Sequence, residues 1–244
     1  DLIHDGFKDS ARHTFRLMLK SSSRAPSPRR LAVYVTSHGF GHLNRVSAVL
    51  NLVPGNVPLT IRSHPDLFPH WRERLRRDAT LESHVSDVGM VHPPGESVAV
   101  DVRATFEKAQ RVHAEAMADV DREADRLRAE RTGVVLCDSP PVPLVAAKRA
   151  GIPGVLLANF TWADIYQPHA RLLGTSALKF VAELRRAYRH AVRVYRVEPA
   201  LRMKWLGEMI EPGMVVNPGR NRREELIRLL GLRASDTLVY LYLG

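Results

Sequence analysis

The 244-residue sequence holds one cysteine, Cys137, so no intrachain disulfide can form. A lone thiol in the apolar run Val134-Val135-Leu136-Cys137 reads as a small buried hydrophobe, and cysteine this scarce points to a reducing, cytoplasmic setting. Long hydrophobic runs are missing too. No apolar stretch approaches the roughly 20 residues that span a bilayer, and the first residues lack the apolar core of a signal peptide. A soluble protein is expected, with peripheral membrane contact through Arg-rich helix faces as a minority reading. A continuous basic surface is also lacking. Of the net charge of +10, residues 1–30 carry +4 and residues 217–234 carry +3, so the excess gathers partly at the ends. Nucleic-acid recognition needs a continuous stripe with groove-reading or aromatic side chains, so no nucleic-acid partner is expected. The Gly-Lys-Ser/Thr end of a P-loop and the full Gly-x-Gly-x-x-Gly pattern are both absent.

What is present is ordinary globular composition, 45% hydrophobic and 25% charged, enough to bury a core without staples. Residues 1–30 read as an extension: a short helix over Ala11 to Leu19, then the linker-like Ser21 to Arg30. Strand candidates are Leu31–Thr36, Val57–Arg62, His84–Val88, Gly133–Cys137, Pro153–Ala158, Val192–Tyr195 and Met214–Val216. Helix candidates alternate with them: Asn44–Leu52, Phe68–Asp78, one long helix over Asp101–Arg131, Pro141–Ala150, and Ala163–Ala191 with interruptions near Pro168 and Gly174. Alternation of this kind predicts an α/β domain, Rossmann-like and doubly wound, with a mainly parallel sheet. Its expected span is 31–216. Residues 217–236 read as a linker helix capped by Gly231. Residues 237–244 read as the first strand of a second, truncated domain, and the missing initiator methionine suggests a start inside a longer frame.

In an open α/β sheet, ligands bind beyond the carboxyl ends of the strands. Ser37-His38-Gly39-Phe40-Gly41-His42 occupies that edge, between the first strand and first helix. Gly39 and Gly41 let the backbone turn and let a ligand come close. The helix that follows offers free N–H groups to anionic or partly negative oxygens. A neutral imidazole at His42 can accept a proton from a sugar hydroxyl, and Arg45 can reach a phosphate or a carboxylate. A structural turn with incidental histidines accounts for the same residues. His38 and His42 alone do not make a metal site, because no neighbouring Cys, Asp or Glu completes the shell; no metal is expected.

The stretch Thr36 to Arg45 resembles the Gly-His-Gly-Phe-Gly-His-Ala-x-Arg loop that opens the glycosyltransferase-like domain of plant L-arabinokinases and their stand-alone bacterial relatives. More distantly it resembles the loop of the peptidoglycan N-acetylglucosaminyltransferases. Asp138-Ser139-Pro140-Pro141 through Ala150-Gly151-Ile152-Pro153, and Asn159-Phe160-Thr161-Trp162-Ala163-Asp164-Ile165-Tyr166, resemble two later stretches of the same family. Ser37 replaces a common glycine, Leu43-Asn44 departs from the pattern, and the acidic residue after Trp162 falls one position late, at Asp164. On a helix that shift turns a side chain by about 100°.

The resemblance implies the N-terminal half of a GT-B fold and transfer of a sugar from a nucleotide-sugar donor to an acceptor hydroxyl. The nucleotide sugar is a co-substrate, with no further cofactor. His42 is the candidate base, and the cleft is expected to bind a sugar or lipid-linked acceptor through His38, Gly39, Phe40, Gly41, Arg45, Asp138, Asn159, Phe160, Trp162 and Tyr166. Asp138 orients a histidine or accepts a sugar hydroxyl, or else caps the helix after it. Phe160, Trp162 and Tyr166 either form a sugar platform beside the Asn159 amide or belong to the core. Six further histidines (64, 84, 92, 113, 169 and 190) read as surface or core residues, and Arg185–Arg189 as a solvated helix face. A fragment of this kind is expected to be inactive alone. A non-catalytic sugar- or nucleotide-sensing domain and a nucleotide-sugar epimerase remain as alternatives.

Overall fold

The computed structural model describes residues 29–239 apart from 97 and 218. The expected helix over Ala11 to Leu19, most of the linker after it, and residues 240–244 of the expected last strand lie outside that range.

Seven strands form one all-parallel sheet: β1 (Arg30–Val35), β2 (Leu59–Ser63), β3 (Thr80–Ser83), β4 (Thr132–Asp138), β5 (Gly154–Ala158), β6 (Arg193–Glu198) and β7 (Ile210–Met214). Their order across the sheet is β3-β2-β1-β4-β5-β6-β7. The helices are α1 (Phe40–Leu50), α2 (Phe68–Arg74), α3 (Val102–Ala118), α4 (Val120–Ala129), α5 (Val142–Ala150), α6 (Trp162–Leu173), α7 (Thr175–Tyr188) and α8 (Arg223–Leu230). The order reverses between β1 and β4, which pair from Leu31 opposite Val134 to Val35 opposite Asp138. The loops leaving these two strands therefore part to opposite sides and open a crevice between them.

Strand alternation divides the core in two. Leu31, Val33 and Val35 face Leu43, Val46 and Leu50 of α1 and Trp71 of α2. The α1 residues recur at helical spacing and form one buried stripe. Ala32 and Tyr34 face the other way, into the larger cluster with Phe106, Leu127, Leu144, Tyr166, Phe180 and Tyr188. Cys137 is buried in that second cluster, and burial pushes its thiol up, as do the nearby Asp138 and Asp87 carboxyls. Each fully buried Leu or Ile contributes about 1.5–3 kcal/mol.

Several expected elements move. The third strand is Thr80–Ser83, not His84–Val88. As an edge strand it is only half covered, whereas Ser86–Gly89 is buried without belonging to the sheet. The long helix over 101–131 is two helices, because the backbone at Asp119 takes φ −90, ψ 0 and α4 sets off anew. Asp101 caps α3 by accepting from Ala104 N–H at 2.9 Å. Pro168 lies inside α6 without ending it; the break comes at Gly174, at φ 92. The last strand is Ile210–Met214, four residues before the expected Met214–Val216 start. Gly231 caps α8 in the left-handed conformation as expected. Residues 237–239 carry no strand. No helix among the described residues is long and apolar enough to cross a membrane.

Candidate functional site at the β1/β4 crevice

α1 begins four residues earlier than the sequence pattern suggested, so His42 stands in its first turn. Gly39 is the N-cap, at φ 94 and ψ 150, a conformation that an L side chain adopts only under strain. No side chain caps this helix and its first turn holds no acidic residue, so its leading N–H groups are available to a ligand oxygen. Gly41 is helical, and a Cβ built there would meet nothing within 4 Å. Its bare backbone faces open space.

Asp138 ends β4 and is fully buried. One oxygen, Oδ1, lies 2.8 Å from His42 Nδ1 and 2.6 Å from Arg45 Nη2; the other, Oδ2, accepts from Arg45 Nε at 3.0 Å. Arg45 Nη2 is also 2.9 Å from His42 Nδ1. The nitrogens cannot both donate to one another, and an ionised carboxylate needs donors. The consistent assignment has Nδ1–H and Nη2–H both donating to Oδ1, leaving the His42–Arg45 approach as a side-by-side contact. Burial alone would raise the Asp138 carboxyl; the Arg45 guanidinium and His42 more than reverse this and hold it below the usual carboxylate range. His42 Nε2 then carries the free lone pair, and the described residues neither hydrogen-bond it nor seal it off. Asp138 does not cap α5, whose N-cap is Pro141 with no side-chain bond. The cap reading therefore falls, and the carboxylate stands within hydrogen-bond reach of His42.

The other expected residues fall into three groups. Phe160 packs edge-on against His42, with ring centroids 5.3 Å apart, and against Trp162 at 5.2 Å. Half-buried, it is the aromatic of the trio that borders the crevice. Trp162 and Tyr166 are buried and stacked on each other at 5.6 Å, so they back the site and are not an open platform. Asn159 is half-buried, and its Oδ1 has no hydrogen-bond partner among the described residues. Phe40 turns away from His42 and packs on His70 of α2 at 4.7 Å. Arg45 is committed to Asp138, a carboxylate, and has little surface left for a phosphate. Asp164 belongs to the capping of α6: Thr161 Oγ1 accepts from its N–H at 3.2 Å, and its Oδ1 accepts from Trp205 Nε1 at 2.9 Å.

Three residues at the site escaped the sequence reading. Ser139 holds φ 79 without being glycine, and its hydroxyl lies 3.3 Å from Asp138 Oδ1 and 3.5 Å from His42 Nδ1. A residue held in that region costs of order 1–3 kcal/mol and gathers at working sites. Tyr188, within the stretch read as a solvated Arg-rich face, is fully buried. Its hydroxyl donates to Ser139 O at 2.6 Å and accepts from Trp162 N–H at 3.1 Å, tying the β4 loop to the start of α6. Asp87, 8% exposed, accepts from Trp162 Nε1 at 2.7 Å. Asp87 fell inside the expected strand His84–Val88, which the structure replaces with a buried loop.

The seven-stranded parallel sheet is Rossmann-like and matches that of glycosyltransferase structures with the GT-B fold. Two solved structures share it at a TM-score of 0.50. One is UGT2 of Phytolacca americana, complexed with UDP-2-fluoro-glucose and pterostilbene, at 12% identity over 80% of this chain and 56% of that one. The other is UGT89C1 of Arabidopsis thaliana, at 13% identity over 84% and 55%. At such identities the likeness is one of fold. In sequence, the chain is 27% identical over 216 residues to L-arabinokinase of Arabidopsis thaliana, covering 87% of this chain and 20% of that protein. The chain thus spans a fifth of its curated relative and little more than half of its structural neighbours. No family model matches it.

Proposed function

We propose that this domain forms the acceptor side of a nucleotide-sugar-dependent glycosyltransferase. The observation that carries the reading is the His42–Asp138–Arg45 arrangement at the strand ends. Asp138, kept ionised by Arg45, accepts the Nδ1 proton of His42 and so aims the lone pair of Nε2 into the crevice. An imidazole oriented in this way takes the proton of an acceptor hydroxyl as its oxygen bonds to the anomeric carbon of the donor sugar. The bond from that carbon to the nucleoside diphosphate breaks, and the diphosphate leaves with the electron pair. The uncapped start of α1 supplies donors to sugar or diphosphate oxygens, and Phe160 offers an apolar wall for a sugar ring. The fold of the UDP-sugar-bound neighbour and the sequence likeness to L-arabinokinase support the same direction. The donor is a nucleotide sugar, used as a co-substrate without a further cofactor or metal, and the acceptor is a sugar or a lipid-linked sugar. Transfer is assigned to a protein in which this domain faces a donor-binding domain, and its setting is taken as cytoplasmic.

The test is release of nucleoside diphosphate by the full-length protein from a panel of UDP-sugars, with L-arabinose and other free sugars offered as acceptors. His42→Ala should lower turnover about 10²–10⁴-fold. Turnover unchanged by that substitution would remove the base assignment. Turnover of the nucleotide sugar into an isomer without any acceptor would favour an epimerase, and binding without turnover would favour a sensing domain.

A further inference from the structure

The site contains a second imidazole, and the way it is held has its own logic. After β3, the chain leaves the sheet edge through the buried run Ser86-Asp87-Val88-Gly89 and reaches across to α6. There Trp162 Nε1–H donates to Asp87 Oδ2 at 2.7 Å and the Tyr166 hydroxyl donates to Val88 O. His38, exposed at the front of this wall, meets Trp162 edge-on with centroids 5.3 Å apart. Its ring also lies against Gly89. A Cβ built on Gly89 would stand 2.5 Å from His38 Nδ1, 2.8 Å from Cγ and 2.9 Å from Cε1. Yet Gly89 is not among the glycines with left-handed backbone. An L residue suits its conformation, and what excludes a side chain is the His38 ring. The same loop is thus tied to Trp162, the ring that His38 meets edge-on.

We infer that Gly89 is a positioning residue that holds His38 as a second acceptor-binding imidazole beside His42. The acceptor class that suits two imidazoles and the edge of Phe160 is a polyhydroxylated ring, which presents neighbouring hydroxyls and an apolar face. The inference rests on the transferase reading above for its substrate, but not for its geometry.

The test is a double-mutant cycle on the full-length protein: wild type, Gly89→Ala, His38→Ala and both together, assayed with UDP-glucose as donor and L-arabinose as the varied acceptor. Gly89→Ala should raise the acceptor KM about tenfold or more with a smaller effect on kcat, the mark of lost binding rather than lost chemistry. The double variant should be no worse than His38→Ala alone, because the new methyl then has no ring to displace. Additive losses, or an acceptor KM unmoved by Gly89→Ala, overturn the proposal. If the wild type turns over no such pair, the transferase reading fails for those substrates. The histidine ring 1H–15N spectrum then decides the inference. Gly89→Ala must shift the His38 resonances and leave those of His42 in place; unmoved His38 resonances overturn it.

Discussion

Asp138→Asn keeps the shape of the side chain at the centre of the site and removes its charge. Arg45 is 9% exposed and spends Nε and Nη2 on this carboxylate, so the substitution strands a buried guanidinium. Removing one partner of a buried pair costs about 3–5 kcal/mol. An asparagine still offers one acceptor oxygen, which places the expected loss near the lower end, about 3 kcal/mol. Against a typical total stability of about 5–15 kcal/mol that is a large part. Activity should fall separately. An amide that turns its NH2 toward His42 Nδ1 favours the other tautomer, with the proton on Nε2, and a loss of about 10³–10⁴-fold is the scale for a base left in the wrong tautomer. Adding Arg45→Met removes the stranded cation and should restore about 2 kcal/mol of stability while restoring no transfer. Urea unfolding of the three proteins measures the first quantity and diphosphate release the second. The pH dependence has a definite sign. The folded carboxyl titrates below its ordinary value of 3.8, so its contribution is present above that value and is lost as pH falls through the lower folded one. Asp138→Asn should flatten this acid limb. A double variant no more stable than Asp138→Asn would refute the buried-cation reasoning, and an Asp138→Asn protein with undiminished transfer would refute the orienting role.

Two further predictions concern the polar cluster beneath β1–β3. Arg62 is fully buried on β2, donating to Glu82 at 2.9 Å, to the Tyr34 hydroxyl at 2.9 Å and to Glu130 at 2.5 Å; Arg62→Ala should cost about 3–5 kcal/mol in urea unfolding, and a loss under about 1 kcal/mol would show that these two carboxylates and the hydroxyl find other partners. His84, packed edge-on against Tyr34 at 5.0 Å, is pushed down from 6.5 to about 4, chiefly by burial, with Glu123 opposing and Arg62 and Arg126 assisting. A base depressed on folding stabilises fully above its unfolded value, so this contribution, at most about 3 kcal/mol, should be lost as pH falls from about 6.5 toward 4. His84→Phe should flatten the melting temperature across that window, and an unchanged slope would count against burial as the cause.

The sheet was legible because its central strands are short apolar runs ended by turn residues, and strands buried on both faces must read that way. β3 was missed for the opposite reason: an edge strand with one half-covered face gives little pattern, while the buried loop after it looked more strand-like. The single helix read over 101–131 failed because no Gly or Pro marks Asp119; the turn there is imposed by packing α3 and α4 against the same core. Of the site, residues on the glycine loop and just after the strands could be found, since those places face the ligand edge in any such sheet. Their division of labour could not. Trp162 and Tyr166 look alike in sequence to an open platform and to a buried backing, and only their burial decides between the two, Tyr166 packing on Phe106 and Phe180 and Trp162 stacking on Tyr166.

The roles proposed for His42 and His38 follow from the partners that topology brings to them. Both lie in one loop or its helix, four residues apart, with nothing local to distinguish them. The reversal of strand order places β4 beside β1, so the residue ending β4 must meet the helix that follows β1; that residue is Asp138, and it takes His42. The loop from the sheet's edge must recross those strand ends to reach α6, and it brings Asp87 to Trp162 and Gly89 to His38. One carboxyl is held ionised by a guanidinium and the other is raised by burial. In the reading proposed above, the carboxylate-bound imidazole is the proton acceptor at His42, and the imidazole lodged against Gly89 positions substrate at His38.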